Sequence, residues 1–166
     1  IASGSHPVKP PIPGMGAPNV HTCWTLEDAR RIAAVAKPGA RVLQIGAGFI
    51  GCIILEALAS RGVTLAVVEM GDRMVPRMMG PTAGGMIKQW CEGKGVRVFT
   101  GTRVEAISLG TPLHVRLSNG QQLDADLGEL AIPPALRPLV PVAPRDVEHT
   151  ARLPLALHGH ARRGER

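Results

Sequence analysis

Arg41-Val-Leu-Gln-Ile-Gly-Ala-Gly-Phe-Ile-Gly-Cys-Ile-Ile-Leu-Glu-Ala-Leu-Ala-Ser-Arg-Gly-Val-Thr-Leu-Ala-Val-Val-Glu69 is an apolar strand, a glycine-rich turn, an apolar helix, a second strand and an acid at its end. Val42, Leu43 and Ile45 suit a strand buried on both faces of a parallel sheet. Gly46, Gly48 and Gly51 follow at the spacing G-x-G-x-x-G. In that pattern the first glycine permits the tight turn, the second lets the backbone approach a pyrophosphate, and the third lets the helix pack closely on the strand. A helix from about Phe49 to Ser60 then aims its free N-terminal amides at the phosphate. Arg61-Gly62 ends it.

Glycines recur in turns for structural reasons alone, so the fingerprint needs its context. Here a strand precedes it, a helix follows, Val63-Thr-Leu-Ala-Val-Val68 forms the next strand, and Glu69 stands about twenty residues beyond the first glycine. The unit therefore reads as a dinucleotide site rather than a plain βαβ crossover. Gly46, Ala47, Gly48 and Gly51 make the expected phosphate turn, with Phe49 and Ile50 at the helix start beside it. Glu69 would accept hydrogen bonds from the adenosine ribose, and its charge would oppose a 2′-phosphate, which favours NAD over NADP. Met70 and Arg73 belong to the loop after Glu69, at the carboxyl end of the strand, the side where ligands bind in open α/β sheets. Arg73 and Arg77 are the complication, because either one, folded over the adenosine, could neutralise a phosphate.

A chain of 166 residues can bury one ordinary core. Its net charge of +6 comes from Lys and Arg scattered along the chain, with clustering only in the last residues. That reads as a basic globular surface rather than a nucleic-acid patch. Two Trp and two Phe leave no stacking platform for single strands. Cys23, Cys52 and Cys91 form no C-x-x-C, zinc spacing or disulfide framework, which points to a reduced, cytoplasmic setting. No metal site is expected. No apolar run reaches transmembrane length, and the first residues lack a basic n-region and an h-region, so no membrane partner is expected.

The expected fold class is α/β: a Rossmann-like parallel sheet with flanking helices, plus an antiparallel β-hairpin or meander and an irregular C-terminal tail. Residues 1–23, rich in proline and glycine, read as an extended linker that continues something upstream. Residues 24–132 carry the Rossmann-like domain. Thr25-Leu-Glu-Asp28 resembles a capping box, and Leu26, Ala29, Ile32, Ala33 and Ala36 share one helical face. Pro81 opens a further helix, Ala83 to Glu92, weakened by Gly84-Gly85. Val96, Val98 and Phe99 make a short strand. Alternating runs flank Asn119-Gly120, a hairpin in which both turn positions would take positive φ. From Pro133 to Arg166 the chain reads as irregular, and its deletion is expected to leave the melting temperature almost unchanged.

Taken together, these blocks resemble the NAD-binding domain of the FAD-dependent pyridine nucleotide-disulfide oxidoreductases, the group of NADH oxidases, rubredoxin and ferredoxin reductases and the flavin module of nitrite reductases. Ile1-Ala-Ser-Gly-Ser5 is similar to the family's A-T-G-[SA] segment, so the resemblance places Ala2, Ser3 and Gly4 against FAD. Pro10-Pro-Ile-Pro-Gly14, Asn19-Val-His-Thr22, Gly46 to Gly51, Val67-Val-Glu69, Asp72-Arg-Met-Val-Pro76 and Gly95-Val-Arg-Val98 look like successive family blocks, in order, over residues 1 to about 127.

The chain departs from the pattern in two places. Ile53 stands where the family often carries a Glu near the nicotinamide. After Leu127 the family's apolar strand is replaced by Gly128-Glu-Leu-Ala-Ile-Pro-Pro134, as a frameshift or a truncated or chimeric reading frame would give. The first dinucleotide domain, the redox cysteines and the C-terminal interface domain have no counterpart, and the chain looks like an excised middle.

The resemblance implies that NADH passes a hydride to the flavin N5, with NAD(H) bound here and FAD in the parent protein. The partners would be the missing flavin domain and an electron acceptor. No residue reads as a catalytic acid, base or nucleophile, and Cys52 and Cys91 read as packing residues. Two alternatives are a non-catalytic NADH-binding module and an inactive truncated or frameshifted fragment.

Overall fold

The computed structural model describes residues 6–131. Ala2, Ser3 and Gly4, and the stretch expected to be irregular from Pro133 on, lie outside the described residues. In chain order the elements are β1 (Val20–Thr22), α1 (Leu26–Val35), β2 (Arg41–Ile45), α2 (Phe49–Ala59), β3 (Thr64–Val68) and α3 (Pro81–Gly93). They continue with β4 (Arg97–Phe99), β5 (Val104–Ser108), β6 (Leu113–Leu117), β7 (Gln122–Ala125) and β8 (Leu127–Leu130).

Five strands form one sheet in the order β1-β8-β2-β3-β4, and β5-β6-β7 form a second. Every neighbour pair in the first sheet is parallel. The second is an antiparallel meander. The architecture is thus the expected α/β parallel sheet with helices and antiparallel strands. Side chains alternate across the sheet, so the strands feed two cores. Val42, Leu65, Val67 and Leu127 join Ile32, Leu55 and Leu58 from the helices, while Leu43, Ile45, Val68 and Leu130 join Val115 and Leu117 from the meander.

Local chemistry accounts for the helix boundaries. The Thr25 hydroxyl accepts from the Asp28 amide at 3.1 Å, and the Asp28 carboxylate accepts from the Thr25 amide at 2.9 Å, a reciprocal cap. The backbone bond from Thr25 is the main reason the Asp28 carboxyl titrates below its usual range. Leu26 departs from the expected apolar face and is 68% exposed, whereas Ile32 and Ala36 are buried. Within α3, Gly84 has a packing reason: a Cβ there would come within 2.6 Å of the Met74 carbonyl oxygen. The loop before the helix runs directly over its first turns.

β8 corrects the reading of the sequence after Leu127. Despite Gly128 and Glu129, the segment forms a strand in the middle of the sheet, with Leu43 opposite Gly128 and Gln44 opposite Glu129. Gly128 fits because β1 approaches closely, a Cβ there lying 3.3 Å from Val20 Cγ2. The register is fixed by Arg41. Its guanidinium donates to both Asp126 oxygens, at 2.7 and 3.1 Å, and its own amide donates to Asp126 Oδ2 at 2.8 Å. Those bonds from Arg41 also hold the Asp126 carboxyl below its usual range.

Two further details differ from expectation. The proline-rich stretch before β1 is irregular but docked: Met15 and Ala17 are buried, and Pro13 O accepts from the Ile107 amide at 2.8 Å. β1 itself, inside the stretch read as linker, is an edge strand of the five-stranded sheet. The hairpin falls where expected, yet only Gly120 has positive φ, at 82°. Its amide donates to Leu117 O at 3.0 Å, closing a type I turn followed by a left-handed glycine. Asn119 instead uses its side chain, which accepts from the Gln121 amide at 3.0 Å.

Candidate functional site

β2, β3 and β4 run to one side and β8 and β1 to the other, so the strand order reverses between β2 and β8. In open parallel sheets the crevice at the carboxyl ends of such strands is where ligands sit. The glycine turn lies there, between β2 and α2, and the chain leaving β8 passes beside it, with the Ala131 amide donating to Ile45 O at 3.0 Å.

Each glycine of the turn meets a different physical demand. Gly46 has φ +104°, a conformation that side chains rarely adopt. Gly51 packs against the turn, since a Cβ would lie 2.6 Å from Gly46 O. Gly48, the N-cap of α2, has ordinary extended dihedrals of −74° and −172°, and a Cβ there would meet nothing within 4 Å. Its lack of a side chain relieves no clash inside the protein. The N-cap makes no side-chain hydrogen bond, which leaves the first amides of the helix facing that open space.

Ala47, fully buried between these glycines, is held from both sides. Its amide donates to Glu69 Oε2 at 2.7 Å, and its carbonyl accepts from the Val75 amide at 2.8 Å. Glu69 Oε1 accepts from the Gly71 amide at 2.7 Å. One carboxylate thus joins the end of β3, the loop after it and the glycine turn. Val75 adopts φ +50°, costly for a β-branched residue, in making its bond to Ala47.

The remaining candidates separate into two groups. Phe49, Ile50 and Ile53 are 59%, 41% and 56% exposed, and together make the start of α2 an apolar surface. Met70 is 75% exposed. The Arg73 guanidinium is turned onto its own loop, bonding Asp72 Oδ1 at 2.6 Å, Met79 O at 2.9 Å and Pro76 O at 3.3 Å. The three cysteines are free, and burial pushes each thiol up from its ordinary value. Among the described residues no group of three or more His, Cys, Asp or Glu could hold a metal ion, and no helix is long and apolar enough to cross a membrane.

Sequence reasoning missed Gln44 and Glu129, both wholly buried in strands beneath the turn. The available clue to Gln44 was a polar residue inside an apolar strand. Glu129 lay in a segment read as the end of the domain.

Residues 1–132 match the family model described as pyridine nucleotide-disulphide oxidoreductase. The chain belongs to that family. Among its pyridine nucleotide-disulfide oxidoreductase relatives is the NADH-dependent phenylglyoxylate dehydrogenase subunit epsilon of Aromatoleum evansii, 33% identical over 76% of this chain and 30% of the relative. The water-forming NADH oxidase of Lactobacillus brevis, solved bound to NADH, superposes with a TM-score of 0.74 at 28% identity, over 80% of this chain and 29% of that one. An engineered water-forming NADPH oxidase made from it, solved bound to NADPH, gives 0.74 at 27% identity over the same shares. The chain therefore spans under a third of the length of these relatives. As a pyridine nucleotide-disulfide oxidoreductase domain it belongs with FAD-dependent enzymes that use NADH or NADPH.

Proposed function

We propose that this chain is the NAD(H)-binding portion of an FAD-dependent oxidoreductase and positions NADH for hydride transfer to a flavin held elsewhere in the parent protein. The observation that carries the proposal is the open space above Gly48. Other glycines here are as open, but Gly48 stands at the head of α2, between Gly46 and Gly51 that the turn itself requires, where an uncovered backbone suits a ligand whose pyrophosphate approaches the amides directly. Gly46 and Gly51 would shape the turn, the amides of Phe49 and Ile50 would face the phosphates, and Glu69 would take the ribose. Phe49, Ile50 and Ile53 would then lie toward the nicotinamide and the flavin domain, with Ala2, Ser3 and Gly4 contributing to the FAD side. The cofactors supply the hydride chemistry and the protein supplies placement. A cytoplasmic setting and an as yet unassigned electron acceptor belong to the same reading.

Preference for NADH over NADPH is supported by a comparison of spacings. The five substitutions that distinguish the engineered NADPH oxidase include a glycine and an aspartate, separated by the same interval as Gly51 and Glu69. On that spacing, the acid lost there in favour of NADPH would be the counterpart of Glu69.

The chain holds one dinucleotide fingerprint, so the purified protein is expected to bind NADH but to carry no flavin. Fluorescence titration with NADH and the visible spectrum check this together. Flavin bands at stoichiometric absorbance, or no NADH binding, would contradict the assignment. Turnover of NADH with an artificial acceptor is expected only once a flavin domain is supplied.

A further inference from the structure

Beneath the glycine turn lie two acceptor groups with no donor. Gln44 and Glu129 occupy paired positions on β2 and β8 and are fully buried. Alternation puts both on the helix side of the sheet, alongside Val42 and Leu127. Gln44 Nε2 donates to Gly46 O at 2.9 Å and to Gly51 O at 3.0 Å, so two carbonyls fix which way the amide faces. Among the described residues, Gln44 Oε1 and both carboxyl oxygens of Glu129 have no hydrogen-bond partner. A buried carboxylate with neither donor nor cation is strongly disfavoured. Two neighbouring acceptors need one proton between them.

We propose that Glu129 is carried as the neutral acid and donates to Gln44 Oε1, which makes it a positioning residue for the glycine turn. Gln44 is then a relay, receiving at its oxygen and donating through its nitrogen to the carbonyls of the first and third glycines. Among the described residues no cation acts on the Glu129 carboxyl, whose shift has burial as its one cause. On the β1 side, His21 sits at the position paired with Glu129, and Cys23 lies two residues further on. The Cys23 thiol is raised first by burial and then by Glu129. Arg31 and Asp28 from α1, and Lys9, act on His21, and α2 brings Gly51, whose carbonyl accepts from Gln44. Burial alone pushes the Glu129 carboxyl up to about 8.

Loss of that proton puts a charge beside Gln44 Oε1. The amide must then turn its nitrogen toward the carboxylate and release Gly46 O and Gly51 O, loosening the turn. The direction of the pH effect follows from the folded state holding the proton more tightly than the unfolded chain. The stabilisation is complete below the ordinary value of 4.5 and is lost as pH rises to about 8. Across that window the unfolding constant gains up to about tenfold per pH unit from this group.

The nucleotide measurement rests on the NADH reading above, whereas the infrared and stability measurements do not. In the full chain, the infrared band of a protonated carboxylic acid should be present near neutral pH and absent in Glu129→Gln, which keeps a neutral donor at every pH. Denaturant unfolding should show stability falling between about pH 5 and about pH 8 in the unaltered chain, with that component missing from the variant. NADH affinity, followed by fluorescence, should fall on the order of threefold or more from about pH 6 to about pH 9.5, and stay flat in Glu129→Gln. No acid band in the unaltered chain, or the same pH dependence in both proteins, would overturn the proposal. Should Glu129→Gln not fold, the band and the stability slope of the unaltered chain decide it. Should NADH not bind at all while the band and slope are as expected, the NADH reading fails and the Glu129 assignment stands.

Discussion

Replacing Glu69 with alanine is expected to bring NADPH up toward NADH, narrowing the gap in binding by about 1–3 kcal/mol, the loss of a hydrogen bond to a charged group. A carboxylate at the end of β3 can accept from both ribose hydroxyls but would face a 2′-phosphate as a like charge. In the ligand-free chain its two oxygens already accept from Ala47 and Gly71, each keeping a further lone pair for a hydroxyl. The alanine variant should therefore also melt lower, which makes the NADH:NADPH ratio the informative quantity, measured at fixed low salt. Arg73→Ala serves as the control. With its guanidinium committed to Asp72, Met79 and Pro76, its removal should leave the ratio unmoved. A tighter NADPH complex in the unaltered chain, or a ratio indifferent to Glu69, would mean that the acid serves only to hold the loop.

A second large effect is expected at a residue assigned no part in nucleotide binding. Gly14 has φ +88°, and a Cβ built on it would fall on the Ile107 carbonyl. Gly14→Ala therefore meets a left-handed backbone penalty of about 1–2 kcal/mol and an overpacking cost of about 1–3 kcal/mol. For a domain of this size their sum lowers the melting temperature by roughly ten degrees. Gly16 lies two residues away, without positive φ and with nothing within 4 Å of its would-be Cβ. Gly16→Ala should be neutral within about 0.5 kcal/mol. Equal melting of the two variants would mean that residues 12–17 do not dock on β5 in solution.

The parts of the fold legible in the sequence are those whose local chemistry and tertiary role agree. β2, α2 and β3 announce themselves through branched strand residues and three spaced glycines. α1 does so through its reciprocal cap, and the hairpin through Asn119-Gly120. The hairpin's turn type was misjudged because Gly120 alone adopts the left-handed conformation, with the Asn119 side chain serving the turn instead. β1 and β8 were hidden for a different reason. They are three and four residues long, and what makes them strands is pairing with neighbours rather than propensity, which Gly128 and Glu129 oppose. The three glycines of the site could be named in advance, but their environments could not. That Gly51 is crowded and Gly48 open follows only from where α2 lands on the sheet. Gln44 is legible as a polar residue in an apolar strand. Its bonds to Gly46 and Gly51 depend on the turn curling back over β2.

The assignment as an NAD(H)-binding domain is tested most directly at Gly48. Its dihedrals suit any residue and, apart from its chain neighbours, no atom of the described residues lies within 4 Å of a built Cβ, so Gly48→Val should fold, melting within a few degrees of the unaltered chain. The side chain would occupy the space assigned to the pyrophosphate and separate it from the helix amides, costing hydrogen bonds to a charged group of about 1.5–3 kcal/mol each. NADH titration of the two proteins should show binding by the unaltered chain and a loss on the order of tenfold or more in the variant. Undiminished NADH binding by a well-folded Gly48→Val protein would contradict the account.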